Sequence, residues 1–105
     1  MAEWTRVAHI AEVLPGERMT AWVDDLPILI ANIDGDYFAV EDKCTHEDFE
    51  LSAGPIDADT ATIECVLHGA RFDLKTGEAL CAPAYTPVRA FSLKIEDDYV
   101  WVDLE

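Results

Sequence analysis

The sequence predicts an all-β domain of layered antiparallel sheets, either a sandwich or a small barrel. Three stretches support this prediction, because residues 28 to 40, 71 to 80 and 90 to 104 each contain two β-rich runs around a turn. Consecutive hairpins build antiparallel sheets, and each strand then packs one face on a core. The 105 residues are enough for one domain, so we expect residues 1 to 105 to fold as a single unit.

The hairpins are predicted from their turn residues and from the alternation around them. Residues 28 to 40 read ILIANIDGDYFAV, in which Asp34-Gly35 is a favoured two-residue hairpin turn. In residues 90 to 104, apolar and polar residues alternate on both sides of Asp97-Asp98. The third hairpin, RFDLKTGEAL, is expected to turn near Thr76-Gly77.

Two shorter elements complete the prediction. Residues 17 to 23, ERMTAWV, form a strand after the Pro15-Gly16 turn, and residues 9 to 13, HIAEV, form a helical turn. His9 has no partner motif and is expected at the surface. No repeat, linker or low-complexity segment interrupts the chain.

Charge and composition exclude several classes of protein. The formal net charge is −15, which argues against nucleic acid because phosphate binding needs patches of Lys and Arg. No apolar run approaches the ~20 residues of a membrane span, and the N-terminal residues do not resemble a signal peptide. Three cysteines form no paired disulfide framework, which suits a reducing compartment, and we expect a cytoplasmic protein.

Two short motifs carry candidate metal ligands. They are Cys44-Thr45-His46 and Cys65-Val66-Leu67-His68, and 18 residues separate His46 from Cys65. Two thiolates and two imidazoles suit a tetrahedral zinc site, or a [2Fe–2S] cluster in which two histidines replace two cysteines on one iron. Zinc motifs usually pair like ligands, whereas each motif here supplies one Cys and one His. The alternation favours the cluster, because each loop can give its Cys to one iron and its His to the other.

The runs CTHEDFELSAG and ECVLHGARFDLKTGEALCAPA resemble the Rieske-type ferredoxins of bacterial aromatic-ring-hydroxylating dioxygenase systems, and the resemblance covers essentially the whole chain. It implies a Rieske [2Fe–2S] cluster whose inner iron is bound by Cys44 and Cys65 and whose outer iron is bound by His46 and His68. It also implies layered antiparallel sheets with two cluster-binding loops. Pro83 matches a proline-containing loop that covers the cluster in that family.

The resemblance also separates subfamilies. Rieske proteins of cytochrome bc complexes carry a disulfide between the two loops, and the matching residues here are Phe49 and Leu67. Those high-potential proteins place a serine and a tyrosine hydroxyl near the cluster sulfurs, where this chain has Ala70 and Phe72. Hydrogen bonds to sulfur raise the reduction potential, so their loss implies the low end of the Rieske range, roughly −150 mV.

The function that the resemblance implies is one-electron transfer from a flavoprotein ferredoxin reductase to a terminal oxygenase, by a carrier that is not itself an enzyme and is expected to be a monomer. Three alternatives remain open: a small subunit of a nitrite-reductase-like enzyme, a ferredoxin for another redox partner, and a zinc-stabilised module. The terminal oxygenase itself is excluded, because its mononuclear iron needs two further histidines and the chain has three in all.

Three further residue types have a simpler interpretation. Cys81 is expected to be a buried apolar thiol and not a ligand, since the two motifs already supply four ligands. Gly69 is expected to provide a positive φ or a close backbone approach near the cluster. The acidic residues Glu47 and Asp48 beside the first motif either keep the loop solvated or steer a basic partner.

Overall fold

The computed structural model describes residues 3–44, 50–66, 69–82 and 86–104. Within these ranges lie eleven strands and two short 3-10 helices, Ile10–Glu12 and Leu51–Ala53. The strands are β1 (Trp4–His9), β2 (Arg18–Val23), β3 (Leu26–Ile33), β4 (Asp36–Glu41), β5 (Ile56–Asp57), β6 (Thr62–Glu64), β7 (Arg71–Asp73), β8 (Ala79–Cys81), β9 (Ala90–Phe91), β10 (Leu93–Glu96) and β11 (Tyr99–Asp103). No helix in the described ranges is long and apolar enough to cross a membrane.

The strands form three antiparallel sheets, which confirms the predicted all-β, layered class. The first sheet has the order β1-β11-β10, the second β2-β3-β4-β9 and the third β5-β6-β7-β8. The second sheet lies between the other two, because the two faces of its strand β3 contribute to two different buried clusters. The molecule is therefore a three-layer arrangement.

Strand β3 shows how the sequence produces this middle layer. Successive side chains of a strand point to opposite faces. Ile28 and Ile30 pack toward the first sheet, whereas Leu29, Ala31 and Ile33 pack toward the third. A strand buried on both faces needs a continuous apolar run, and ILIANI supplies one that is interrupted by a single asparagine.

The two buried clusters are distinct. The outer core lies between the first and second sheets and consists of Ala8, Val13, Ile28, Ile30, Ala39, Phe91, Val100 and Val102. The cysteine core lies between the second and third sheets and consists of Leu29, Ala31, Ile33, Val40, Cys44, Leu51, Ala61, Ile63, Cys65, Ala70, Phe72, Leu74 and Val88. Both cysteines of the predicted ligand set therefore lie in one of the two cores.

The predicted hairpins are confirmed. Asp34 and Gly35 join β3 to β4 with φ of 53° and 96°, and Asp97 and Asp98 join β10 to β11 with φ of 53° and 66°. Two consecutive positive φ values define the hairpin turn whose twist matches that of the strands, and Asp, Asn and Gly adopt it most readily. The third hairpin, β7–β8, turns through residues 74 to 78, as predicted.

The two shorter elements are also confirmed. Strand β2 follows the Pro15-Gly16 turn, and the turn predicted at residues 9 to 13 is the 3-10 helix Ile10–Glu12. His9 is half-buried and caps this helix, since its Nδ1 accepts a hydrogen bond from the Ala11 amide at 3.0 Å. The Nδ1 atom of the His9 imidazole is thus used in a local helix cap.

Two features depart from the prediction. Residues 90 to 96 form two strands, because the chain passes at Ser92 from β9 in the second sheet to β10 in the first. Phe91 pairs with Ala39, whereas Leu93 pairs with Val102. The other feature is β1, which was not predicted from the sequence and which pairs with β11 near the C-terminal end of the chain.

Candidate metal centre

The first candidate ligand, Cys44, follows the end of β4 by three residues. Its side chain is buried, with 1% of its surface exposed. The preceding backbone is fixed on both sides, because the Asp42 amide donates to the Pro27 carbonyl at 2.9 Å and the Lys43 amide donates to the Glu41 carbonyl at 2.8 Å. These bonds direct the chain out of the second sheet and into the cysteine core.

The Asp42 side chain joins this segment to two others. Its Oδ2 accepts a hydrogen bond from the Thr20 hydroxyl at 2.6 Å, and its Oδ1 accepts one from the Ser52 amide at 2.7 Å. Thr20 lies on β2, and Ser52 lies in the 3-10 helix that follows the first motif. Only 3% of Asp42 is exposed, so both bonds form in a dry environment where they are strong.

The second candidate ligand, Cys65, follows β6 directly and is fully buried. Its amide donates to the Ala70 carbonyl at 2.7 Å, and its carbonyl accepts from the Gly69 amide at 3.0 Å. These two bonds close a tight loop between β6 and β7. Gly69 has a φ of +75°, and a Cβ at this position would meet only the Glu64 carboxylate at 3.9 Å. The glycine is therefore required for its backbone conformation and not for close packing.

The segment that follows the first motif contacts the residue before the second motif at Gly54. A Cβ built on Gly54 would lie 1.6 Å from the Glu64 carbonyl oxygen, so no side chain fits between the two backbones. The Glu64 amide donates to the Pro55 carbonyl at 3.0 Å, and the Arg18 guanidinium donates to the Gly54 carbonyl. This contact joins the segment after the first motif to the residue that precedes Cys65.

The two thiols therefore share one apolar environment and are not joined to each other or to Cys81 by a disulfide. Ala70 and Phe72, which are both fully buried, belong to the same cluster and carry no hydroxyl. Metal-bound cysteine is a thiolate, and a thiolate buried among apolar groups is costly without a cation beside it. Two such thiols in one core fit a metal centre.

The structure describes part of the predicted site. His46 and His68 lie outside the described residues, as do Phe49, Leu67 and Pro83 of the family match. Their positions therefore stay predictions. What the structure brings together is the cysteine half of the site, with the loops that would carry the two histidines beginning at its edge.

The prediction that the Cys81 thiol is buried was wrong. Its side chain is exposed, and its Sγ donates to the Gly69 carbonyl at 3.4 Å. The register explains this position, since β8 is an edge strand of the third sheet and Cys81 pairs with the exposed Arg71. The sequence gives no ladder register for a three-residue strand, so burial could not be read from it.

Two contributors to the site were missed by reasoning from the sequence. Asp42 gave a weak signal, as an acidic residue between a strand with an apolar core face and a candidate ligand. Gly54 precedes Pro55 and was consistent with an ordinary turn, because a close approach between distant backbones leaves no local signature.

With this geometry established, comparison with known proteins gives a consistent result. The family model for the Rieske [2Fe-2S] domain matches residues 3–92. The chain is 41% identical over 101 residues to the ferredoxin component of biphenyl 2,3-dioxygenase from Rhodococcus jostii (strain RHA1), which covers 96% of this chain and 92% of that protein. It is 38% identical over 96 residues to the 3-phenylpropionate/cinnamic acid dioxygenase ferredoxin subunit of Escherichia coli (strain K12), covering 90% of this chain and 88% of that one.

Solved structures agree with these relatives. The ferredoxin of carbazole 1,9a-dioxygenase from Nocardioides aromaticivorans IC177 superposes with a TM-score of 0.88 at 29% identity, over 94% of this chain and 95% of that one. A chain from the complex of reduced oxygenase and oxidized ferredoxin in carbazole 1,9a-dioxygenase gives 0.85 at 30% identity, over 97% and 94%. A putative nitrite reductase small subunit gives 0.81 at 17% identity, over 95% and 97%, which shows a common fold alone.

Proposed function

The chain belongs to the Rieske [2Fe-2S] domain family, and on that premise we propose that it is a one-electron carrier ferredoxin serving the terminal oxygenase of a ring-hydroxylating dioxygenase system. The observation that carries the proposal is the correspondence, over almost the full length of both chains, with the ferredoxin component of a biphenyl dioxygenase at 41% identity. The protein is thus an electron-transfer component, and the substrate chemistry belongs to its oxygenase partner.

The cofactor is one Rieske-type [2Fe–2S] cluster, and we assign its ligands as Cys44 and Cys65 on the inner iron and His46 and His68 on the outer iron. The burial of both thiols in one apolar core supports the cysteine half of this assignment. When bound, the cluster accepts and releases a single electron. The protein's own contribution is to hold the thiolates away from water and to fix the two loops on rigid strands.

The proposed partners are a flavoprotein ferredoxin reductase and a terminal oxygenase. A ferredoxin–oxygenase complex is named among the similar solved structures, which supports the second partner. The net charge of −15 supports electrostatic steering toward a basic partner surface, whose effect would weaken as salt is added. A monomeric state and a cytoplasmic location complete the proposal. The location is suggested by Cys81, an exposed thiol that would oxidise outside a reducing compartment.

The main alternative is a small subunit of a nitrite-reductase-like enzyme. Its support is the superposition at 17% identity, which carries the fold and nothing further. The relatives at 38% and 41% identity are dioxygenase ferredoxins and favour the first proposal. A ferredoxin for a different redox partner would have the same cluster and would differ only in which protein oxidises it.

The test combines cofactor analysis with electron delivery. The purified protein should contain two irons and two labile sulfides per chain, and reduction with dithionite should give the EPR spectrum of a Rieske centre. In stopped-flow experiments, the reduced protein should be oxidised rapidly by a biphenyl-dioxygenase-type oxygenase, with a rate that falls as ionic strength rises. Stoichiometric zinc without sulfide would exclude the cofactor assignment. A loaded protein that reduces nitrite reductase but no ring-hydroxylating oxygenase would support the alternative.

A further inference from the structure

The side chain of Trp22 is exposed to an unusual degree. It lies near the end of β2 with 65% of its surface exposed, and no other large apolar side chain in the described ranges is more exposed. Tryptophan is usually buried over most of its surface, because its indole ring carries a large apolar area. It is also enriched among the residues that contribute most of the binding energy of protein interfaces. Trp22 is therefore a candidate contact residue for another protein.

The strand topology places Trp22 at the end of the middle sheet where the first ligand motif begins. Strands β2 and β4 both run antiparallel to β3, so their C-terminal ends lie at the same end of the sheet. Trp22 pairs with Pro27, and the Pro27 carbonyl accepts a hydrogen bond from the Asp42 amide at 2.9 Å. Asp42 precedes Cys44 by two residues. The Cα atoms of Trp22 and Cys44 are thus at most about 17 Å apart.

The Trp22 side chain is on the face of β2 that is turned toward the cysteine core. Side chains alternate along a strand, so Arg18, Thr20 and Trp22 share one face. Arg18 donates to the Gly54 carbonyl and Thr20 donates to the Asp42 carboxylate, and both acceptors belong to segments beside the cysteine core. The opposite face of β2 packs against the outer core. Trp22 therefore projects on the same side of the middle sheet as the proposed cluster.

Two acidic residues adjoin Trp22 and indicate the chemistry of its partner. Asp24 and Asp25 form the two-residue turn between β2 and β3, and both are exposed. An exposed indole next to two carboxylates fits a protein surface that has an apolar pocket with Lys or Arg at its rim. A second copy of this chain fits poorly, because its net charge of −15 would repel the two carboxylates.

We propose that Trp22, Asp24 and Asp25 form a docking site for the terminal oxygenase, in which Trp22 is the apolar anchor and the two carboxylates contact basic residues at the rim. This inference rests on the proposed function and goes beyond it. Electron transfer requires the oxygenase to approach the end of the molecule that holds the cluster, and the β2–β3 turn lies at that end. The oxygenase therefore contacts the middle sheet in addition to the two ligand loops.

The anchor is tested by calorimetric titration of a biphenyl-dioxygenase-type oxygenase with the loaded, oxidised protein. Trp22→Ala should weaken the affinity about tenfold, and Trp22→Phe should weaken it less, because the smaller ring keeps part of the contact. The loss should persist at high salt, since an apolar contact is not screened. Iron content, visible circular dichroism and midpoint potential should equal those of the parent. The matched control is Trp4→Ala in the first sheet, which removes another exposed indole and should leave the affinity unchanged.

The acidic rim is tested by stopped-flow oxidation of the reduced protein across a salt series. The double variant Asp24→Asn, Asp25→Asn should slow electron delivery severalfold at low ionic strength and little at high ionic strength. The matched control is Asp97→Asn with Asp98→Asn at the β10–β11 turn. This turn lies at the opposite end of β3, because Asp98 lines a surface cavity together with Gly35 of the β3–β4 turn. Asparagine tolerates the positive φ values of both turns.

Unchanged affinity in a loaded Trp22→Ala protein would overturn the proposal, and so would an equal loss in Trp4→Ala or an effect confined to reduction by the flavoprotein reductase. Loss of iron in Trp22→Ala, with parental affinity in a loaded Trp22→Phe protein, would reduce Trp22 to a structural role. Slower electron transfer with both redox partners would support the docking site and extend it to the reductase. A parent protein that the oxygenase does not oxidise would refute the proposed function, and that result is recognised before any substitution is made.

Discussion

The outer core and the cysteine core share the middle sheet, yet they are built differently. The outer core is bounded by β1, β10 and β11, strands of four to six residues, and β10 and β11 are joined by a two-residue turn. The cysteine core is bounded by β5 to β8, which have two or three residues each. Long strands provide many ladder bonds and cross-strand contacts, whereas short strands provide few.

The difference suggests a division of tasks between the two halves. The outer half is stabilised by its own ladders and apolar contacts and can serve as a scaffold. The cysteine half depends on single contacts between loops, such as the hydrogen bonds of Asp42 and the close approach at Gly54, and on the proposed cluster. A bound metal centre contributes directly to the stability of the segments that hold it. Matched substitutions in the two halves can test this division.

The largest effect is expected from loss of a ligand. Cys65→Ser should abolish the visible absorption and the iron content, and His68→Ala should do the same if the histidine is a ligand as proposed. The control is Ile30→Val in the outer core, which should cost about 0.5–1.5 kcal/mol of unfolding free energy and keep the cluster. Absorption spectra and iron analysis measure the cluster content of each variant, and chemical denaturation measures its unfolding free energy. Full cluster content in Cys65→Ser would contradict the ligand assignment.

The second effect concerns the backbone contact between Gly54 and Glu64. Gly54→Ala should lower cluster content strongly, because its methyl group would overlap the Glu64 carbonyl and separate the loops. Gly35→Ala is the control in the β3–β4 turn, where a Cβ meets nothing within 4 Å. Gly35→Ala should lower the unfolding free energy by only about 1–2 kcal/mol, because an alanine is strained at the positive φ of this position, and it should leave the iron content unchanged. Equal cluster loss in both variants would mean that the Gly54 contact has no special role.

A third effect, of intermediate size, concerns the reduction potential of the proposed cluster. Ala70→Ser combined with Phe72→Tyr should introduce hydroxyl donors near the cluster sulfurs and raise the midpoint potential by on the order of 100 mV, a fraction of the roughly 450 mV that Rieske centres span. Both positions are fully buried in the cysteine core, so the hydroxyls need the sulfurs as partners. Phe91→Tyr in the outer core is the control and should leave the voltammogram unchanged. A fall in potential would show that positions 70 and 72 do not face the cluster.

The smallest effect is expected at Cys81. Its thiol is exposed and its bond to the Gly69 carbonyl is a weak one, so Cys81→Ser should keep the iron content, the EPR shape and the stability within about 0.5 kcal/mol. Cys81→Ala removes the hydrogen-bond donor to the Gly69 carbonyl, and its stability should differ only slightly from that of Cys81→Ser. Loss of the cluster in the serine variant, with the fold retained, would place Cys81 in the ligand set after all.

Features that neighbouring residues determine were predicted correctly from the sequence, whereas features that depend on contacts between distant segments were not. The turns at Asp34-Gly35 and Asp97-Asp98 were predictable because two residues and their flanking alternation determine a hairpin. Strand β1 was not, since its partner β11 begins about 90 residues later and Trp4 pairs with Asp103. The split of residues 90 to 96 was hidden for a related reason, because the alternation continues while the chain changes sheets at Ser92.

The same distinction holds for the site. The sequence by itself indicated the family and predicts the ligand types and their pairing in two motifs, because a Cys and a His at fixed short spacing are local chemistry. Only the tertiary structure decided that both thiols share one apolar core, that the backbones of Gly54 and Glu64 approach closely, that Asp42 is buried and that Cys81 is exposed. These properties depend on which distant segments meet, and burial and close contact arise only when the three sheets pack together.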